Sequence, residues 1–138
     1  AVLTRRIQDA SAWVADQPQL RQLPLGYFGA SAGSAAALIA AARLGGQIAA
    51  VVSRSGRPDL AGRAVLAAIK ASTLLIVGGT DAAGVDLHQQ AYQHLRCERS
   101  LAVVPGASHL FEEPGAMEQV AEMAANWFQI HMPALATA

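Results

Sequence analysis

Thr73-Leu74-Leu75-Ile76-Val77 is an unbroken apolar run, rich in β-branched residues and closed by Gly78-Gly79. A strand with one wet face alternates apolar and polar residues. A continuous run is covered on both faces, as in a parallel sheet flanked by helices. Three further runs read the same way: Leu25–Ala30, Ile48–Ser53 and Leu101–Val104. The stretches around them have helical spacing. Leu3–Asp16 repeats apolar residues at Leu3, Ile7, Ala10 and Val14, and Gly33–Leu44 is almost entirely Ala, Leu and Ile. Leu60–Lys70 and Asp86–Arg96 follow, and Ala116–His131 sets Val120, Met123, Ala124, Trp127 and Phe128 on one face. Strand and helix thus alternate along the chain. This predicts an α/β domain with a predominantly parallel sheet of about four strands covered by helices. The 138 residues suit a single domain, with residues 133–138 expected to fray.

Composition narrows the partners. Ten basic and ten acidic residues cancel without a Lys/Arg run, so no nucleic-acid partner is expected. Cys97 is the only cysteine, which excludes an intrachain disulfide and a Cys-rich zinc site. No run of eighteen apolar residues occurs, so no membrane span is expected. The start, Ala1-Val2-Leu3-Thr4-Arg5-Arg6, lacks the apolar core of a signal peptide, and the cytoplasm is the expected compartment. The chain opens inside a helical pattern and without Met, as a processed or truncated piece would.

Gly29-Ala30-Ser31-Ala32-Gly33 fits G-x-S-x-G between a strand and a helix, the setting of a nucleophile elbow. There Ser31 would hold a strained backbone to raise its hydroxyl above the sheet, with Gly29 and Gly33 permitting close chain passage. The N–H of Ala32 would help bind an oxyanion at the helix N-terminus. A serine needs a base, and the base an orienting acid. His109 follows the Leu101–Val104 run and Asp81 follows the Thr73–Val77 run. Ser31, Asp81 and His109 therefore fall at the carboxyl ends of parallel strands, where such sheets build their sites. Asp81 also reads as a helix N-cap, and Asp86 is the alternative acid. Arg54 and Arg57 lie past the Ile48–Ser53 strand at the same edge as candidate substrate ligands, with Arg57–Asp59 as a local ion pair the competing reading. Glu112-Glu113 reads as a cap for the last helix. His88, His94 and His131 read as surface or packing residues.

Four blocks carry a family resemblance: Gly26-Tyr27-Phe28-Gly29-Ala30-Ser31-Ala32-Gly33, Gly56-Arg57-Pro58-Asp59-Leu60-Ala61, Leu74-Leu75-Ile76-Val77-Gly78-Gly79-Thr80-Asp81, and Val104-Pro105-Gly106-Ala107-Ser108-His109-Leu110-Phe111. With them the chain resembles the dienelactone hydrolase-like α/β-hydrolases, in particular a bacterial subgroup sometimes fused to a phosphoribosyltransferase domain. The resemblance implies a serine hydrolase for a small ester, lactone or thioester, with Ser31 as nucleophile, His109 as base and Asp81 as acid. Dienelactone hydrolase itself uses cysteine at the nucleophile position, so its substrate does not transfer. No metal or organic cofactor is expected. The family sheet has strands before the elbow, and a loop there supplies a second oxyanion donor. Against that family pattern, this chain reads as the C-terminal part. The Leu25–Ala30 strand would then be a bare edge, open to a homodimer or to the N-terminal part of the fold. The alternative function is a non-catalytic interaction or regulatory module. A flavodoxin-like nucleotide domain lacks its Gly-rich phosphate loop here.

Overall fold

The computed structural model describes residues 2–132; the tail expected to fray, 133–138, lies outside them. Five helices and four strands follow one another in the order α1 (Val2–Asp16), β1 (Leu25–Ala30), α2 (Ala32–Leu44), β2 (Ile48–Arg54), α3 (Arg63–Ala68), β3 (Ser72–Gly78), α4 (Ala82–His94), β4 (Arg99–Val104) and α5 (Ala116–His131). The strands form one sheet in the order β1-β2-β3-β4, and every neighbouring pair is parallel. Spatial order follows chain order, so all four carboxyl ends share one edge.

Side-chain alternation along the central strands builds two cores. Val51 and Leu75 point to one face and pack with Leu38 of α2, Leu66 of α3 and Leu95 beyond α4. Val52, Leu74 and Ile76 point to the other and pack with Phe111 and with Val120 and Ala124 of α5. Cutting Leu75 or Ile76 back to alanine should cost about 2–5 kcal/mol, because neither site can collapse between its layers. The unbroken apolar reading holds for β2 and β3, which are buried along most of their length. It holds less well for β1 and β4, the edge strands, which are largely half-buried, with Phe28 half exposed.

Two helix boundaries differ from the sequence expectation. Leu60–Lys70 is split into a 3-10 turn, Pro58–Ala61, and the short α3, because Gly62 at φ 90° breaks the helical path between them. The Asp86–Arg96 helix instead begins at Ala82: the Asp81 carboxylate accepts a hydrogen bond from the Gly84 N–H and starts it one turn earlier. Among the described residues no helix is long and apolar enough to cross a membrane.

Candidate active site

The site assembles where β1, β2, β3 and β4 end. Ser31 follows β1 directly and leads into α2. Its backbone sits at φ 50°, ψ −116°, a conformation that costs a non-glycine residue about 1–3 kcal/mol. The strain is locked from below, since the Ser31 N–H donates to the Arg54 carbonyl at 3.1 Å and the Ser31 carbonyl accepts from the Ser34 N–H at 3.1 Å. Gly29 is needed, because a Cβ there would stand 2.6 Å from the Gly33 carbonyl oxygen. Gly33 is not: a Cβ there meets nothing within 4 Å, so its absent side chain permits no close passage. The glycine that does is Gly56, at φ 78°, where a Cβ would collide with the Ser31 carbonyl. Ala32 opens α2, so its N–H has no acceptor within the helix.

His109 and Asp81 meet across the ends of β4 and β3. His109 Nδ1 lies 3.5 Å from Asp81 Oδ2, longer than a formed hydrogen bond, and about half of the imidazole is exposed. Apo active sites often show such slack, which closes when substrate arrives. The other Asp81 oxygen, Oδ1, is the one that caps α4, at 3.1 Å from the Gly84 N–H. The cap and the approach to His109, set against one another in the sequence, use the two oxygens of one carboxylate. Gly84 makes this possible, since a Cβ there would collide with that carboxylate. Asp86, the alternative acid, accepts a hydrogen bond from Gln90 on its own helix instead.

Ser31, Ala32 and His109 line one cleft of about 280 Å³, together with Ala35, Gly56, Arg57 and Leu60. The two candidate arginines part company here. Arg57 reaches the cleft but gives Nε and Nη2 to the Asp59 carboxylate at 2.9 and 2.8 Å. That pair, its hydrogen bonds foremost, holds the Asp59 carboxyl below its ordinary value. Arg54 instead lies over the Phe111 ring, 5.4 Å from its centre, with Nη1 3.4 Å from the His109 carbonyl oxygen.

The loop bearing His109 is held by residues from outside the candidate triad. Ser55 Oγ donates to the His109 carbonyl at 2.7 Å. Thr80 donates its N–H and its hydroxyl to the Ala107 carbonyl, at 3.0 and 2.9 Å. Glu113 takes the Ser108 N–H at 2.8 Å and its hydroxyl at 3.2 Å. Those donors, the backbone N–H foremost, hold the Glu113 carboxyl below its ordinary value. Glu113 is thus a brace of the histidine loop and not the cap of the last helix: Gly115 stands at the N-cap of α5, without a side-chain bond. Phe111 takes φ 57° and is buried beneath the loop. A serine five residues before a glutamate is not a capping-box spacing, so the sequence offered no signal for this clamp.

The remaining histidines differ from one another. His88 is fully buried, and its Nδ1 donates to the Gly84 carbonyl at 2.7 Å. Its Nε2 has no hydrogen-bond partner among the described residues. Burial pushes the imidazole below its ordinary value, against the opposing pull of the Gly84 and Ser55 backbones and of the Asp81 and Asp59 carboxylates. His131 stacks on Trp127, with ring centres 4.0 Å apart and Glu98 3.6 Å away. His94 ends α4.

Comparison with known proteins places this fold. No family model matches the sequence. The dienelactone hydrolase of Anabaena variabilis superimposes with a TM-score of 0.91 at 46% identity, over 94% of this chain and 59% of that one. The chain has an α/β-hydrolase fold and is similar to a dienelactone hydrolase over most of its length. A dienelactone hydrolase-like promiscuous phosphotriesterase from metagenomic libraries gives a TM-score of 0.73 at 20% identity, over 94% of this chain and 61% of its own, and shows the same fold. In sequence, a Mycobacterium tuberculosis protein named as a phosphoribosyl transferase is 52% identical over 131 residues, 95% of this chain. The chain spans only 29% of that relative and 59% of the Anabaena enzyme.

Proposed function

We propose that this chain carries a serine hydrolase site for a small ester, lactone or thioester. The supporting observation is that a strained Ser31 and His109 line one cleft, with Asp81 Oδ2 3.5 Å from His109 Nδ1. In this reading His109 Nε2 takes the Ser31 proton as Oγ attacks the substrate carbonyl carbon. Asp81 holds the tautomer that leaves Nε2 free and stabilises the imidazolium that forms. The Ala32 N–H, at the positive end of α2, faces the negative charge developing on the carbonyl oxygen. His109 then returns the proton to the departing alkoxide or thiolate, leaving Ser31 acylated. Water, activated by the same imidazole, attacks the acyl carbon, and the Ser31 proton is restored as the acid leaves.

The cleft is small, which favours a compact acyl group. Arg57 reaches it as the candidate contact for an anionic substrate, whereas the position of Arg54 suits support of the His109 loop. Phosphoribosyl transfer belongs to the name of a protein of which this chain spans 29%, and it is not carried over. The free side of β1, with Phe28 half exposed, is proposed to pair with a second copy or with an N-terminal segment of the fold. A clean monomer by sizing chromatography at micromolar concentration would remove the second-copy reading.

A fluorophosphonate probe applied to the folded chain tests the chemistry. The adduct should map to Ser31, and Ser31→Ala should eliminate both labelling and burst-phase ester cleavage. A folded chain that takes no label returns the molecule to the non-catalytic reading.

A further inference from the structure

The last residue of β2 and the two that follow it touch both halves of the site. On one side the Arg54 carbonyl accepts the Ser31 N–H at 3.1 Å, and Gly56 passes so close to the Ser31 carbonyl that no side chain fits. On the other side Ser55 Oγ donates to the His109 carbonyl at 2.7 Å. Ser55 is itself immobilised: it is fully buried, its N–H donates to the Ile76 carbonyl at 2.8 Å, and its carbonyl accepts from Ser34 Oγ at 2.9 Å. The backbone at Ser55 stands at φ 58°, where glycine would be at ease and serine is strained.

We propose that Ser55 is the positioning residue that sets His109 against Ser31, acting as a rigid spacer between the elbow and the histidine loop. The inference rests on the reading of Ser31 and His109 as nucleophile and base. Ser55 does not face the reacting atoms; it acts through the backbone of His109. Freeing that carbonyl lets the loop drift, and a misplacement of about 1 Å at a reacting group costs on the order of 10² in rate.

The test uses Ser55→Gly, which removes the hydroxyl while suiting a left-handed backbone, and Ser55→Ala as a second variant that keeps the Cβ. Three measurements are made on each: thermal midpoint, rate of fluorophosphonate labelling at Ser31, and amide exchange across residues 106–111. Turnover of p-nitrophenyl acetate adds a split between kcat and KM. The expected result is a folded variant labelled roughly ten- to a hundredfold more slowly, with kcat lowered, KM within about twofold, and faster exchange in the histidine loop. A variant labelled as fast as the parent overturns the proposal, as does one whose only change is a lower thermal midpoint. If the parent itself takes no label, the hydrolase reading fails on its own. Exchange then decides the spacer: faster exchange at 106–111 upholds it, and unchanged exchange overturns it.

Discussion

The elbow and the histidine loop reach the same cleft by different means. The elbow is held by backbone: a strained Ser31 between β1 and α2, a tight Gly29 just before it, and Gly56 pressed against its carbonyl. The histidine loop is held from a distance, by Ser55 from the end of β2, Thr80 from the turn after β3 and Glu113 from beyond the loop itself. A backbone-encoded device resists substitution at its glycines and tolerates little else. A device built from side-chain hydrogen bonds can be loosened by degrees. The proposed nucleophile should therefore fail abruptly and the proposed base gradually.

Asp81→Asn puts the largest strain on this contrast. Asparagine caps a helix as well as aspartate does, so α4 should start where it does now and the thermal midpoint should barely move. Ester turnover should nonetheless fall by about 10⁴, because the amide favours the wrong histidine tautomer. Activity retained in Asp81→Asn would move the orienting role elsewhere. Next in size is Gly56→Ala, which forces a Cβ into the Ser31 carbonyl at a positive φ. Calorimetry should record a loss of about 1–3 kcal/mol together with loss of labelling. Gly33→Ala is its control: with open space at that position it should be neutral or stabilising by up to about 1 kcal/mol.

His88 gives the comparison a pH axis. Its imidazole is held below the ordinary value by burial, so the unfolded chain binds that proton first as pH falls. The stability His88 contributes is complete above an ordinary imidazole value of about 6.5 and drains away as pH drops from there through the folded value. Thermal midpoints measured from about pH 7.5 down to pH 5 should fall in the parent and fall less in His88→Gln. The smallest effect belongs to Glu113→Gln. It keeps an acceptor for Ser108 but loses the charge, and labelling should slow by less than about tenfold. A loss as abrupt as that of Gly56→Ala would break the contrast between the two halves.

The sequence carried the architecture because parallel strands buried on both faces leave unbroken apolar runs, as at Thr73–Val77, and because Gly29 to Gly33 packs strand, turn and helix into five residues. The proposed Ser31, Asp81 and His109 follow β1, β3 and β4 in that chain order, as the sequence alone predicts. What stayed hidden depends on distance in the chain. Nothing beside Ser55 announces a partner 54 residues onward, and Glu113 next to Glu112 looks like any acidic pair before a helix. Gly33 misled for the opposite reason: a motif position implied crowding, and only its surroundings could show open space. For Asp81 the two readings do not compete, since one oxygen caps α4 and the other stands toward His109.

That cap bears on how Asp81 moves. A side chain on a loose loop swings about its own torsions. Asp81 is tied by Oδ1 to the first turn of α4, so its oxygens ride with a thirteen-residue rod. On the nanosecond scale the carboxylate should wobble no more than the helix axis, and heating should unfasten it only when the end of that helix unwinds.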